Sequence, residues 1–120
     1  METSSTARRL ATRFVAGETL EMALALSRRL NTEGISVTLD HLGESVTSLD
    51  EAANARDVYL RTLEAIHSSG INGNVSLKLT QFGMDISTDE CRKNVEQLVR
   101  QAAEWDNFVR IDMEIGRAHV

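Results

Sequence analysis

The chain has 120 residues, of which 42% are hydrophobic and 26% charged, and its net charge is -5. These values are typical of one soluble globular domain, and the negative charge argues against a nucleic-acid partner. No apolar run approaches the roughly 20 residues of a transmembrane segment, and no secretory signal is visible. Cys91 is the only cysteine, which excludes an internal disulfide.

The first part of the chain predicts two helices. Residues 8–15 form a short one that ends near Gly17. A second, amphipathic helix begins at Thr19, where a hydroxyl can cap the first turn, and ends at Gly34. We therefore expect residues 1–34 to be a helical N-terminal segment.

Three later stretches alternate apolar and polar residues, and a period of two indicates β-strands. They cover residues 35–40, 75–80 and 108–113. Each predicted strand has one apolar face and one polar face. The polar faces carry Ser36, Thr38 and Asp40 on the first strand, Ser76, Lys78 and Thr80 on the second, and Arg110 and Asp112 on the third.

Helices separate these strands. Capping boxes at residues 48–51 and 87–90 start two runs of apolar residues at helical spacing, and Gly70 ends the first run. Alternating strands and helices predict a parallel sheet with right-handed crossovers. In a doubly wound sheet helices cover both faces, so its strands are apolar throughout. The polar strand faces favour a barrel whose interior opens on a site.

The predicted fold class is therefore α/β. Residues 35–114 form about three βα units, the N-terminal part of a (βα)8 TIM-like barrel, preceded by the N-terminal helices. A complete barrel needs about 250 residues, so we interpret the chain as the front part of a longer protein. Residues 115–120 resemble the translation of a common sequencing adapter in one reading frame, and we expect them not to be native.

Candidate catalytic residues lie near the carboxyl ends of the predicted strands, where barrel enzymes place their sites. Asp40, Lys78 and Asp112 face inward there, and Glu44 lies in the first loop. One interpretation is a cation that holds an anionic substrate, with carboxylates to orient it. The alternative is a buried structural ion pair between Lys78 and Asp112. The site-location rule favours the first, and we interpret Arg110 as a structural partner of an inward carboxylate.

Other motifs point to no chemistry. The glycines form no phosphate-binding loop, and His41 and His67 lack metal-ligand spacing. Cys91 lies on an apolar helix face, which is typical of a core thiol.

Four segments resemble, in order, the bacterial single-function proline dehydrogenases. They are Phe14-Val-Ala-Gly-Glu-Thr19, Leu39-Asp-His-Leu-Gly-Glu-Ser-Val46, Asn74-Val-Ser-Leu-Lys-Leu-Thr-Gln-Phe-Gly83 and Val109-Arg-Ile-Asp-Met-Glu114. The resemblance implies a distorted (βα)8 barrel with extra N-terminal helices. It also implies FAD as cofactor, oxidation of L-proline to Δ1-pyrroline-5-carboxylate, and a quinone as electron acceptor. A cytoplasmic protein, peripheral to the inner membrane, would fit that acceptor.

The resemblance also implies roles for five residues. Lys78 would face the proline carboxylate, and Asp112 would be the active-site acid. Met113 would lie against the flavin, Glu44 would gate the pocket with a later arginine, and Asp40 would orient groups in the same wall. The paired substrate arginines and the remaining flavin contacts belong to later parts of the family's chain, so we expect this chain alone to be inactive.

Two other functions remain open from the sequence. A desolvated Lys78 could form a Schiff base, as in aldolases. A small α/β module could instead bind partners through an open sheet edge, without catalysis.

Overall fold

A computed structural model describes residues 9–14, 20–41 and 46–112, with the backbone alone for the first range. Its elements are β1 (Arg9–Phe14), α1 (Leu20–Thr32), β2 (Ser36–His41), α2 (Leu49–Ser69), β3 (Gly73–Leu77), a 3-10 turn (Leu79–Phe82), α3 (Thr88–Glu104) and β4 (Val109–Ile111). The predicted site residues Glu44 and Met113, the predicted cap Thr19 and the tail 115–120 lie outside the described residues.

The four strands form one parallel sheet in the order β1-β2-β3-β4. This confirms the mixed α/β class and the parallel sheet. The order never reverses, and a doubly wound sheet reverses at its switch point. Right-handed crossovers between strands in this order keep every connecting helix on the same face. The arrangement is that of a partial βα fold, and the closed barrel stays a prediction.

The N-terminal helix predicted over residues 8–15 is wrong. Residues 9–14 form strand β1, which pairs with β2 from Arg9 opposite Ser36 to Phe14 opposite His41. Arg9 and Arg13 are four residues apart, a spacing that fits one face of a helix and one face of a strand equally well. Pairing with the edge of β2 decides the outcome, because tertiary context overrides weak local propensity.

The predicted helix boundaries are confirmed where the structure describes them. Gly34 follows α1 with a φ of 81°, and Gly70 follows α2 with a φ of 72°; both are left-handed conformations that glycine adopts without strain. The hydroxyls of Ser48 and Ser87 each accept the main-chain N–H three residues later, at 3.1 and 3.2 Å. Local side-chain chemistry therefore sets where these helices begin and end.

The hydrophobic core lies between the sheet and the helices. Alternate residues of the strands point into it, and α2 and α3 cover them. Its main members are Leu39, Tyr59, Leu63, Ile66, Val75, Leu77, Phe82, Leu98 and Ala102. Complete burial of a large apolar side chain contributes roughly 1.5–3 kcal/mol, so this layer fixes the sheet against the helices. The polar residues of the strands lie on the opposite face of the sheet.

Strand β3 ends at Leu77, earlier than the predicted 75–80. Lys78 is therefore not in the middle of a strand but is the first residue after it. The side chain of Gln81 accepts the Lys78 N–H at 3.0 Å, in place of a ladder hydrogen bond. Gly83, with a φ of 95°, then turns the chain toward α3.

Candidate active site

The ends of β2, β3 and β4 lie side by side and carry Asp40, Lys78 and Asp112. The register pairs Leu77 with Ile111, so Lys78 is level with Asp112. It also pairs Leu39 with Val75, so Asp40 is level with Ser76, two residues before Lys78 and hence one inward-facing layer below it. Leu39 and Leu77 are in the core, so the alternating polar residues lie on the face away from the helices. The structure thus brings all three to the edge of the sheet where barrel enzymes place their sites.

Lys78 and Asp112 do not form an ion pair. In the described part of the chain, no salt bridge within 4.0 Å joins the two side chains. They are neighbours through the backbone, since the Asp112 N–H donates to the Leu77 carbonyl at 2.8 Å. Both side chains are partly exposed. The geometry does not support the alternative of a buried structural pair.

Gln81 joins the ends of two strands, and the sequence analysis missed it. Its amide nitrogen donates to the His41 carbonyl at 3.0 Å, and its amide oxygen accepts the Lys78 N–H at 3.0 Å. The side chain is only 6% exposed. A buried amide with both ends satisfied holds β2 and the residue after β3 at a fixed separation. The sequence signal that could have identified Gln81 is an amide side chain within the first few residues after a predicted strand.

Tyr59 of α2 supports the same edge from the helix side. Its hydroxyl accepts the His41 N–H at 3.0 Å, and the residue is 2% exposed. Burial raises the pKa of Tyr59 to about 12, with further upward contributions from the charges of Asp40 and Asp112. The hydroxyl therefore stays neutral and accepts a hydrogen bond just behind the two carboxylates. Sequence analysis did not find this contact.

Further polar residues lie on the same face of the sheet, level with Asp40 or nearer the amino ends of the strands. The Thr38 hydroxyl donates to the Asn74 amide oxygen at 3.1 Å, and both residues are buried, as is Ser76. Arg110 follows on the same face of β4, with its guanidinium carbon 5.7 Å from the centre of the Phe108 ring. The inner face of the sheet is thus polar and buried, a combination that suits a barrel interior.

Two other residues named from the sequence lie away from this edge. His67, in the last turn of α2, stacks on Trp105 with ring centres 4.6 Å apart. Cys91 is buried, and burial raises the pKa of its thiol, which agrees with the predicted core role. Among the described residues, no cluster of His, Cys, Asp and Glu could hold a metal ion.

A cavity of about 460 Å³ lies on the outer flank of α3, and its wall reaches Leu79, two residues after the end of β3. Mostly apolar residues line it, including Met84, Val95 and Val99. Met84 and Val99 are 42% and 47% exposed. Its charged lining residues, Arg92, Glu96 and Arg100, are exposed on α3, so they do not converge on a buried ligand. We therefore regard the cavity as an uncovered packing surface and not as the candidate site.

Comparisons with known proteins identify the family of the chain. A sequence model of the family described as proline dehydrogenase matches residues 23–118. Proline dehydrogenase 1 of Bacillus subtilis (strain 168) is 38% identical over 104 residues, 87% of this chain and 34% of the relative. Proline dehydrogenase 2 of the same organism is 34% identical over 102 residues, 85% of this chain and 34% of the relative. The proline dehydrogenase of Deinococcus radiodurans is 35% identical over 108 residues, 88% of this chain and 35% of the relative. The chain thus spans about a third of the length of these relatives, and it belongs to the proline dehydrogenase family.

Proposed function

We propose that this chain is the N-terminal part of a flavin-dependent proline dehydrogenase that oxidises L-proline to Δ1-pyrroline-5-carboxylate. The observation that carries the proposal is the edge formed by Asp40, Lys78 and Asp112 in a chain whose family match covers residues 23–118. A cation and two carboxylates at one edge suit a zwitterionic amino acid, whose carboxylate and amine need opposite partners.

The remaining two thirds of the relatives' length would supply the strands that close the barrel. Two surfaces support this. The outer flank of α3 leaves Met84 and Val99 about half exposed, and Ile111 on the helix-facing side of β4 is 48% exposed. Both surfaces lie where the helix after β4 would pack if the single-sided order continued. The fragment alone would therefore lack part of its core as well as part of its site.

Lys78 is proposed to bind the substrate carboxylate through a charge-assisted hydrogen bond. Its ammonium is not neutralised by Asp112 in the described structure, and the Gln81 amide fixes its main chain. Asp112 is proposed as the active-site acid on the neighbouring strand, and Asp40 as the residue that orients groups in the same wall. Fixed charges of this kind position the reacting carbon, which is the protein's main contribution when a cofactor carries the chemistry.

FAD is proposed as the cofactor, and when bound it supplies the hydride acceptor. The described edge fits such a group. The β-ladder reaches Asp112, whose N–H donates to the Leu77 carbonyl, so the ladder brings the chain to this edge of the sheet just before Met113. Met113 is proposed to hold the cofactor there through its backbone, and Glu44 to gate the pocket with a later arginine.

The proposed electron acceptor is a quinone, and the proposed location is cytoplasmic and peripheral to the inner membrane. Within the ranges that the structure describes, none of the helices has the length and apolar character needed to cross a bilayer.

The test is a comparison of the full-length parent with the 120-residue chain. We expect the purified parent to be yellow, to carry FAD, and to reduce an artificial electron acceptor only when L-proline is added. The 120-residue chain should show none of these three properties. A colourless parent without proline-dependent reduction would overturn the proposal, and borohydride trapping of a keto substrate on Lys78 would point to aldolase chemistry instead.

A further inference from the structure

A charged layer that includes Asp40 lies directly beneath Lys78 and Asp112. The register pairs Arg13 with Asp40 and Ser76 with Arg110, and the pairing of Leu39 with Val75 places Asp40 beside Ser76. One residue from each of the four strands therefore stands at the same level. Lys78 and Asp112 stand one level above.

The hydrogen bonding of Arg110 is incomplete among the described residues. Its Nε atom is buried and has no hydrogen-bond partner among the described residues. In the same part of the chain, no salt bridge within 4.0 Å includes Arg110, and its guanidinium carbon lies 5.7 Å from the Phe108 ring. Arginine cannot release its charge at ordinary pH. A buried N–H on a permanent cation needs an acceptor.

We propose that Arg110 is a carboxylate-binding residue on the inner face of the sheet, one level below Lys78 and Asp112. The planar guanidinium presents Nε–H and Nη–H as a fork, and a carboxylate accepts both bonds at once. Asp40 lies two strands away, about 10 Å across the sheet. Asp112 lies two residues later on the same face, but among the described residues it forms no salt bridge with Arg110 and leaves its Nε–H without an acceptor. The carboxylate therefore comes from outside the described sheet.

Two sources share this chemistry. One is an Asp or Glu side chain on the strands that would complete the barrel, and the other is the carboxylate of the substrate. The second source rests on the proposed function, whereas the first requires only that the parent folds as a barrel. The two sources predict different measurements on the same variants.

The experiment uses the full-length parent, loaded with FAD, and its Arg110→Met and Arg110→Lys variants. Methionine keeps an unbranched stem and removes the charge, and lysine keeps the charge. Arg61→Met is the matched control, because Arg61 is exposed on α2. For each protein we would measure the melting temperature without substrate between pH 4 and pH 8, the flavin content, and KM for L-proline.

A side-chain carboxylate predicts that Arg110→Met lowers the melting temperature by about 2–4 °C or more with KM little changed. That difference should shrink as the pH is lowered through the range where a carboxyl group is protonated. A substrate carboxylate predicts an unchanged melting temperature and flavin content, with KM raised at least tenfold. Either result supports carboxylate binding by Arg110.

The proposal is overturned if Arg110→Met matches Arg61→Met in melting temperature, flavin content and KM. If Arg110→Met does not fold, Arg110→Lys decides. Recovery of folding by lysine supports a buried cation with an anionic partner, and failure of both variants alike overturns it. Activity of the unmodified parent on L-proline is measured in parallel, so failure of the proposed function would be seen separately.

Discussion

Gln81 donates its side-chain amide to the main-chain carbonyl of His41, 40 residues earlier, at 3.0 Å. The same side chain accepts the N–H of Lys78. One buried amide thus connects the last residue of β2 to the first residue after β3. Because Lys78 carries the proposed substrate contact, Gln81 fixes the backbone from which that ammonium extends.

Gln81→Met in the full-length parent should destabilise the protein, because it removes the hydrogen bonds from Gln81 to the His41 carbonyl and from the Lys78 N–H to Gln81. Each buried group that loses its partner costs about 1–3 kcal/mol. The measurement is the free energy of unfolding in urea. Gln101→Met is the control, since Gln101 bonds only to Glu104 on the helix surface. Equal effects of the two substitutions would show that the Gln81 bonds do not hold the strand ends.

The stability of the protein should depend on the protonation of Tyr59 at alkaline pH. Its pKa is raised to about 12 from 10.0, so the native state holds the proton more tightly than the unfolded state. The resulting stabilisation is fully present below pH 10 and is lost as the pH rises from 10 to 12. Two pH units correspond to about 2–3 kcal/mol.

Tyr59→Phe tests this dependence. The variant loses the acceptor of the His41 N–H, so it should be less stable than the parent at pH 8. The gap should then narrow between pH 10 and pH 12, because only the parent has this group to titrate. Unfolding free energies across that range give the result, and the absorbance difference between the two proteins reports the tyrosinate. A gap that stays constant with pH would contradict the raised pKa.

A side chain at Gly73 should destabilise the protein, because the neighbouring strand β2 lies too close to position 73. A Cβ atom at this position would lie 2.8 Å from Val37 Cγ2 and 3.1 Å from the Val37 carbonyl oxygen. Overpacking of this kind costs roughly 1–3 kcal/mol. We expect Gly73→Ala to lower the unfolding free energy, and Val37→Ala in the same chain to recover part of the loss.

Gly70→Ala separates the two reasons for a glycine, which are close contact with a neighbouring strand and a left-handed backbone conformation. No heavy atom lies within 4 Å of a Cβ at Gly70, but its φ is 72°. That substitution should cost about 1–2 kcal/mol from backbone strain alone, and Val37→Ala should not reduce the loss. If Val37→Ala affects both glycine variants alike, contact with β2 is not the reason for Gly73.

Local chemistry explains what the sequence could predict. The caps at Ser48, Ser87 and Gly70 depend on residues at most four positions apart, and all three are confirmed. The alternation of polar and apolar residues correctly placed Asp40 and Asp112 on the face opposite the core. These signals lie within a single element, so periodicity and spacing are enough to find them.

The errors come from interactions between distant parts of the chain. Strand β1 forms because β2 offers it an edge, and its arginine spacing alone cannot tell a strand from a helix. The early end of β3 depends on the Gln81 side chain, and the Tyr59 contact with His41 joins residues 18 positions apart. Hydrogen bonds between residues far apart in sequence leave no local sequence pattern from which they could be predicted. The roles of Glu44 and Met113 stay predictions, since both residues lie outside the described ranges.

Lys78→Met in the full-length parent tests the proposed substrate contact. Methionine keeps an unbranched chain and removes the charge, while the main-chain bond from Lys78 to Gln81 is retained. A charge-assisted contact to a carboxylate is worth about 1.5–3 kcal/mol, or about one to two decades in affinity. We expect KM for L-proline to rise by that factor, with flavin content and melting temperature unchanged.

Lys93→Met is the control for this test, because Lys93 pairs with Glu90 on the exposed side of α3. It should change neither KM nor stability, since exposed pairs contribute little. A structural role for Lys78 makes the opposite prediction. If the lysine neutralised a buried carboxylate in the complete barrel, its loss would cost roughly 3–5 kcal/mol in folding, and flavin and substrate binding would disappear together. A destabilised, flavin-free Lys78→Met protein would therefore rule out the substrate contact, whereas a stable yellow protein with a raised KM would support it.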